Sequence, residues 1–518
     1  MLIQSATYIY IAMKPFVQAV ALITAFTAAT RIIGFLFRMF LARVLGPEML
    51  GVYQIALSFF MVLLTVIATG LPLVISKEIA KAKERGHTRD IGTIAITGLV
   101  ISLVVSVALC LMVLALRELI GEIFTDERCL YILMILLPAV VASSIYTSLR
   151  AVWWGEKRFF LLGATELLEQ VARVLMFVIL IGLVFLGIDA AGLAALSFTI
   201  ACVISAAAVV WLFLRKKSGI MTNRTQDMVY SGRRKSYYWT LIRSAAPITG
   251  VRALGSIAIP ALAIIVTSRL MDIGWTQSEA MSQYGIVIGM TLPLLMIPGT
   301  IISALATALV PELSSAHQRK DNKAVADQIR NALIFTLFIT FMLLPVFVAL
   351  GENIGLFVYD NQLSGRYLTM AAWVMIPLSL NQITNAILNS LGAEMKAMKH
   401  YLYGSVVLFA IVWFGTPTLH AASLLIGIGT CMLIASILNL VMISKLTNTK
   451  MNLIKMTLSF AMITIPAVLL SSFMFGITHH IWPLMISLGI AGAAGVCMIL
   501  LLCRIFNIVN IKGILSRQ

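Results

Sequence analysis

FVQAVALITAFTAATRIIGFLFRMFLARVL (16–45) is apolar for almost its whole length, and its charged residues are Arg31, Arg38 and Arg43. A membrane-spanning helix needs roughly 20 mainly apolar residues. This stretch exceeds that and stops at Gly46-Pro47, after which a second apolar run begins at about 51. The same alternation continues to the end of the chain. It predicts fourteen spans, at about 16–45, 51–76, 91–116, 130–149, 161–186, 191–214, 244–270, 284–310, 331–351, 368–391, 401–415, 421–444, 456–476 and 483–503. The eleventh is the weakest, being short and ending at Thr416-Pro417.

Composition agrees. Of 518 residues, 60% are hydrophobic and 11% charged, with a mean hydropathy of +1.00. A soluble domain carries about 25% charged residues, so an ordinary cytosolic enzyme is excluded. The 38 Lys and Arg against 21 Asp and Glu give a net +17, which raises the question of nucleic acid. The basic residues sit between apolar runs, however, and are read instead as membrane topology. Twenty-nine lie at the N-terminus, on alternate connections or in the C-terminal tail, three (Arg117, Arg128, Arg366) on the opposite connections, and six within spans. The positive-inside rule places both termini in the cytoplasm of a multi-pass cytoplasmic-membrane protein.

The six cysteines form no CxxC pair or metal-ligand spacing, and no cofactor or metal is expected. MLIQSATYIYIA (1–12) is too short to span and lacks a basic start, so Met13-Lys14-Pro15 is an alternative beginning.

The longest connection, 215–243, carries eight basic residues including Arg233-Arg234-Lys235. It reads as a positive-inside linker near anionic lipid rather than a nucleic-acid surface. It divides the chain into an N-lobe (1–214, six spans) and a C-lobe (244–444, six spans), followed by two further spans and a tail (445–518). The lobes resemble each other. Arg31-Ile-Ile-Gly34 has a counterpart in Arg252-Ala-Leu-Gly255, and Tyr53 in Tyr284. LVISKEIAKAKERG (73–86) parallels LVPELSSAHQRKD (309–321), and LRAVWWGEK (149–157) parallels LNSLGAEMK (388–396). Six helices per lobe give both the same orientation, hence a parallel pseudo-repeat around a central cavity.

An arginine at the bilayer centre costs about 2.5–3.5 kcal/mol on insertion scales. Arg43 and Arg269 lie near span ends, from which a long side chain reaches the interface. Arg173 stands four residues after Glu169, a spacing that favours an intrahelical pair; Glu166 is the other acid inside a span. Arg31, Arg38 and Arg252 then lack enough acidic partners. Either they satisfy carbonyls within the fold, or they form an anion site; paired hydrogen bonding and permanent charge suit guanidinium groups to phosphate. By the repeat, Arg31 and Arg252 would stand on opposite walls of the cavity.

Asn381, Asn385 and Asn389 form a one-face stripe, read as glue between helices or as contact with a polar substrate. Pro293, Pro298 and Gly299 make the eighth span the expected gating bend, although packing kinks explain such prolines equally well. There is no GxxxxGK[ST] loop and no HExxH or GxSxG motif, so an ATP-driven motor or a hydrolase is not indicated.

TRIIGFLFRMFLARVLGPEMLGVYQ (30–54), GLPLVISKEIA (70–80), LLEQVARV (167–174) and QYGIVIGMTLPLLMIPGTIISALATALVPELS (283–314) resemble the stage V sporulation protein B group. That group belongs to the multidrug/oligosaccharidyl-lipid/polysaccharide (MOP) exporter superfamily and is related to lipid II flippases. The resemblance implies fourteen helices in two lobes, and transport of undecaprenyl-pyrophosphate-linked sugar precursors in cell-wall or spore-cortex synthesis. Arg31 matches an arginine of the flippases' first helix by its R-x-x-G-F context, and Arg38 matches a second with a one-residue offset. Their eighth-helix arginine has no match here, because Pro293 falls near that position. The expectation is a flippase, not an enzyme, with Arg31, Arg38 and Arg252 on the pyrophosphate. Its partners would be a lipid-linked oligosaccharide, membrane lipids and cell-wall synthase proteins, and its coupling ion is open. The competing readings are a cation-coupled multidrug or small-molecule exporter of the same architecture, an exporter of another lipid-linked polysaccharide unit, and a non-transporting scaffold.

Overall fold

Apolar runs that cannot leave backbone groups unpaired in lipid must close their hydrogen bonds internally, and helices do so. The computed structural model describes residues 2–182, 189–215, 231–448 and 453–506, and among these there is no strand. Residues 216–230 of the basic linker and 507–518 of the tail lie outside the described residues, as do the side chains of Arg233, Arg234 and Lys235. The chain divides into two compact units, Met1–Ile264 and Ile265–Gln518.

The first unit holds α1 (Leu2–Ala68), α2 (Gly70–Glu84), α3 (Thr88–Ala115), α4 (Arg117–Ile123), α5 (Glu127–Gly155), α6 (Phe159–Leu180), α7 (Ala190–Arg215) and α8 (Ser231–Ser256). Helix α9 (Ala258–Asp272) runs across the divide. The first two predicted spans are two helices that meet at a kink at Gly46, whose backbone (φ 68°, ψ 173°) is non-helical and open to glycine. Arg128 braces this kink from the start of α5. It lies 2.6 Å from Glu48 and 2.7 Å from Asp126, the residue that caps α5.

Helix α1 lies along α6 through aromatic edge contacts, Phe26 with Phe160 and both Phe37 and Phe40 with Phe177. Leu71, Val74, Ile75, Ile79, Ile94, Ala151, Val152, Leu241 and Ala245 form a core that joins α2, α3, α5 and α8. Helix α8 approaches because residue 70 is a glycine: a Cβ there would fall 2.2 Å from the Thr249 hydroxyl.

The second unit holds α10 (Gln277–Tyr284), α11 (Leu292–Leu295), α12 (Ile297–Gln318), α13 (Asn322–Tyr359), α14 (Gln362–Ala371), α15 (Met375–Ser390), α16 (Glu394–Leu419), α17 (Ala422–Thr447), α18 (Leu453–Thr478) and α19 (Leu484–Ile505). Helices α13 and α18 meet through the stacked Phe341 and Phe460 rings, 5.5 Å apart. The predicted eleventh span is longer than expected, since α16 continues through Pro417 to Leu419.

Among the described residues twelve helical stretches are long and apolar enough to cross a membrane, rather than the expected fourteen. Two expected spans fall within the 60-residue stretch Ala25–Glu84, one on either side of the Gly46 kink, and are counted there once. The fifth, 161–186, corresponds over its described part to α6, a helix of 22 residues that is as apolar as its neighbours but carries three charges, Glu166, Glu169 and Arg173; residues 183–186 lie outside the described residues.

Candidate functional site

Of the six arginines inside predicted spans, three are accounted for by the fold. Arg173 donates to Glu169 at 2.7 Å and lies 4.2 Å from the Phe198 ring. Arg269 pairs with Asp272 at 3.1 Å and lies over Trp413. Arg43 has interactions of its own. Arg31, Arg38 and Arg252 are exposed and make no hydrogen bond or ion pair among the described residues.

The local sequence explains where Arg31 and Arg38 point. Helix α1 gives its aromatic stripe to α6, and Gly34 stands against the Gln170 amide, to which a Cβ there would come within 3.4 Å. Arg31 and Arg38 are seven residues apart, within about 20° of one another around the helix and about 10 Å along it. They therefore share a side next to the α6 contact. The buried Tyr53, past the kink, lies in the electrostatic field of both Arg173 and Arg38.

Arg252 stands one turn beyond Thr249, the residue packed on Gly70, and five residues before the break at Ile257 that separates α8 from α9. Pro260 lacks the N–H that would continue the ladder from Ser256. Helix α8, which carries Arg252, packs on α1, α2 and α3, so all three arginines fall within the first unit.

The two acids inside spans are both engaged. Glu166 accepts from Arg150 at 3.3 Å, and Glu169 from Arg173. The residue that holds Glu166, Arg150, is one the sequence gives no reason to single out. In the structure Arg150 is the penultimate-turn residue of α5, lies 4.7 Å from the Tyr146 ring centroid, and donates to the Leu162 carbonyl. Its position at a span boundary offered no signal for that tertiary role.

In the second unit Asn381 is buried, Asn385 half-buried and Asn389 exposed at the helix end. Asn385 donates to Asn381 at 2.9 Å and accepts from Asn439 of α17 at 2.9 Å. Pro293, Pro298 and Gly299 lie in an interrupted helix. A π-helical turn, Gly285–Thr291, precedes α11, and α12 starts after Met296. Each proline removes a donor and crowds the turn before it, which the wider π turn and the break relieve. The Gln382 side chain donates to the Gly299 carbonyl at 2.8 Å, tying α15 to the start of α12.

No group of three or more metal-ligating side chains occurs among the described residues.

The fold is that of the MOP transporters. The TM-score is 0.68 to a structure described as lipid II flippase MurJ in an inward closed conformation, at 16% identity and covering 94% of this chain and 98% of that one. It is 0.65 to an inward-facing multidrug resistance MATE family transporter of the MOP superfamily, at 16% identity over 82% and 96%. With its apolar helices, this makes the chain a multi-pass membrane protein of transporter fold. The chain belongs to the polysaccharide biosynthesis protein family, whose model matches residues 16–317. It is 26% identical to stage V sporulation protein B of Bacillus subtilis (strain 168) over 462 residues, 88% of each chain.

Proposed function

We propose that the protein is a flippase, not an enzyme, that carries an undecaprenyl-pyrophosphate-linked peptidoglycan precursor of the lipid II type across the cytoplasmic membrane. The observation that carries this reading is the set of three exposed, unpaired arginines in apolar helices of one unit. A guanidinium facing acyl chains costs a few kcal/mol, so an exposed one within a span belongs in a polar or water-filled space. We take the three to line one such space, where a pyrophosphate would accept paired hydrogen bonds from each. The prenyl tail would remain in lipid while the sugar headgroup crosses. Family membership and the similarity to a sporulation protein support a lipid-linked sugar substrate and a role in cell-wall or spore-cortex synthesis.

The interrupted α10–α12 region is the proposed bend for the conformational cycle. The excess of basic residues on one set of connections supports cytoplasmic termini. A coupling ion and cell-wall synthase partners belong to the same proposal. An exporter of cationic drugs would be expected to offer a free carboxylate. Glu166 and Glu169, the acids inside the spans, are already held by arginines.

The test replaces Arg31, Arg38 and Arg252 singly with Ala in cells depleted of the chromosomal copy and follows precursor arrival in the outer leaflet. Loss of translocation by correctly inserted variants is expected. Full activity of Arg31→Ala and Arg252→Ala would overturn the anion site.

A further inference from the structure

A chain of amides runs through the second unit from an imidazole to a buried orphan. His400 Nδ1 lies 2.8 Å from Asn439 Oδ1. Asn439 Nδ2 donates to Thr384 Oγ1 at 3.1 Å and to Asn385 Oδ1 at 2.9 Å. Asn385 Nδ2 donates to Asn381 Oδ1 at 2.9 Å. Asn381 is 7% exposed, and its Nδ2 has no hydrogen-bond partner.

Every link points the same way. Both N–H groups of Asn439 are used, so its oxygen is left to accept and the His400 ring must donate from Nδ1. An amide carries a donor and an acceptor on opposite sides, and turning each amide by half a revolution reverses the whole chain. His400 Nδ1 would then accept, and Asn381 would present its oxygen rather than its N–H as the unpartnered end. Reversal also requires Thr384 to redirect its hydroxyl from the Leu380 carbonyl, which it now meets at 2.8 Å, toward Asn439.

We propose that His400 is a proton-binding site whose charge state sets the hydrogen-bonding polarity of the buried Asn381 side chain. An imidazolium has a proton on both nitrogens and tolerates one direction only, the one with the Asn381 N–H free. Loss of a proton to water permits the Nε2–H tautomer, and with it the reversed chain. Histidine is the side chain whose ordinary titration falls between about pH 5 and 8.

His400 is half-buried, near the start of α16, so solvent reaches the ring. Its own helix carries Glu394, Lys396, Lys399, Tyr401 and Tyr403. Helix α17, packed on it, carries Cys431 and Lys445, and α15 carries no titratable group. No acid therefore comes from α15 or α17, and a neutral amide oxygen is what receives the ring's proton. Asn381 is the neighbour of Gln382, which holds the carbonyl of Gly299 at the bend of α12. The switch thus ends one residue from the contact that ties α15 to the interrupted helix.

The test needs no substrate, so it stands or fails apart from the flippase reading. Full-length protein in lipid nanodiscs, labelled with 15N in His and Asn, is titrated between about pH 5 and 8 while the His400 ring and Asn381 side-chain signals are followed. In the wild type the Asn381 amide should move with the same midpoint as the ring. In Asn385→Leu, which cuts the chain, and in His400→Gln, which removes the proton site at a half-exposed position, it should stay fixed. An Asn381 signal indifferent to pH in the wild type overturns the proposal, as does a shift that persists in either variant.

Discussion

Arg31, Arg38 and Arg252 are set apart from Arg43, Arg173 and Arg269 by what surrounds them, because each of the latter has partners within the fold. If the exposed three grip a pyrophosphate, Lys in place of Arg31 keeps the charge and loses the paired hydrogen bonds. Arg31→Lys should retain part of the translocation rate and Arg31→Ala should fall at least about tenfold, an energy of roughly 1.4 kcal/mol. Equal rates for Lys and Ala would contradict a hydrogen-bonded anion. The Glu169–Arg173 pair should behave differently. Glu169→Gln leaves Arg173, mostly buried beside Phe198, without its counter-charge, and should lower stability by about 2 kcal/mol without the specific loss of substrate binding expected for Arg31. Thermal unfolding in detergent checks the first half and precursor binding the second. The i, i+4 spacing made this pair legible in sequence. Arg150 with Glu166, and His400 with Asn439 some 39 residues away, were not legible, since they arise only when helices are brought side by side.

Helix boundaries were read from hydropathy, and hydropathy is blind to hydrogen-bond register. It located the apolar run at 284–310 and the prolines that disturb it, but a π turn at Gly285–Thr291 has the same composition as an α turn. It also could not place α8, whose partners are chosen by the space over Gly70 and not by any local pattern. Small residues set another crossing. Gly351 and Gly355 of α13 face α14, and a Cβ on Gly355 would lie 2.3 Å from the Gly365 nitrogen. Backbones this close rely on dispersion, the force available between helices in lipid. Gly355→Ala should therefore separate α13 from α14 at a cost of about 1–3 kcal/mol. The check is the melting temperature of the purified variant, and an unchanged value would show that the crossing relaxes without penalty.

Across the whole molecule the +17 separates into charges with different work. The three basic residues assigned to the opposite connections all stand near carboxylates: Arg117 is 3.9 Å from Glu118, Arg128 2.6 Å from Glu48, and Arg366 3.6 Å from Glu352. Single cysteines at position 320 or 396, in a background without the native cysteines, should be blocked by reagents only after the membrane is opened, whereas one at 366 should react in intact cells. The reverse pattern would invert the topology. Which helices pack together is not written in hydropathy: α8, which follows the basic linker in sequence, packs on α1, α2 and α3.

If the unpaired arginines of the first unit carry a pyrophosphate-linked lipid, purified protein in liposomes should move undecaprenyl-pyrophosphate-linked precursor between leaflets, measured with and without a membrane potential. The wild type should transfer the precursor, the Arg31→Ala/Arg252→Ala double variant should not, and a prenyl pyrophosphate should compete where a neutral prenyl alcohol does not. Transfer that is undiminished in the double variant, or competed equally by the neutral alcohol, would contradict that role.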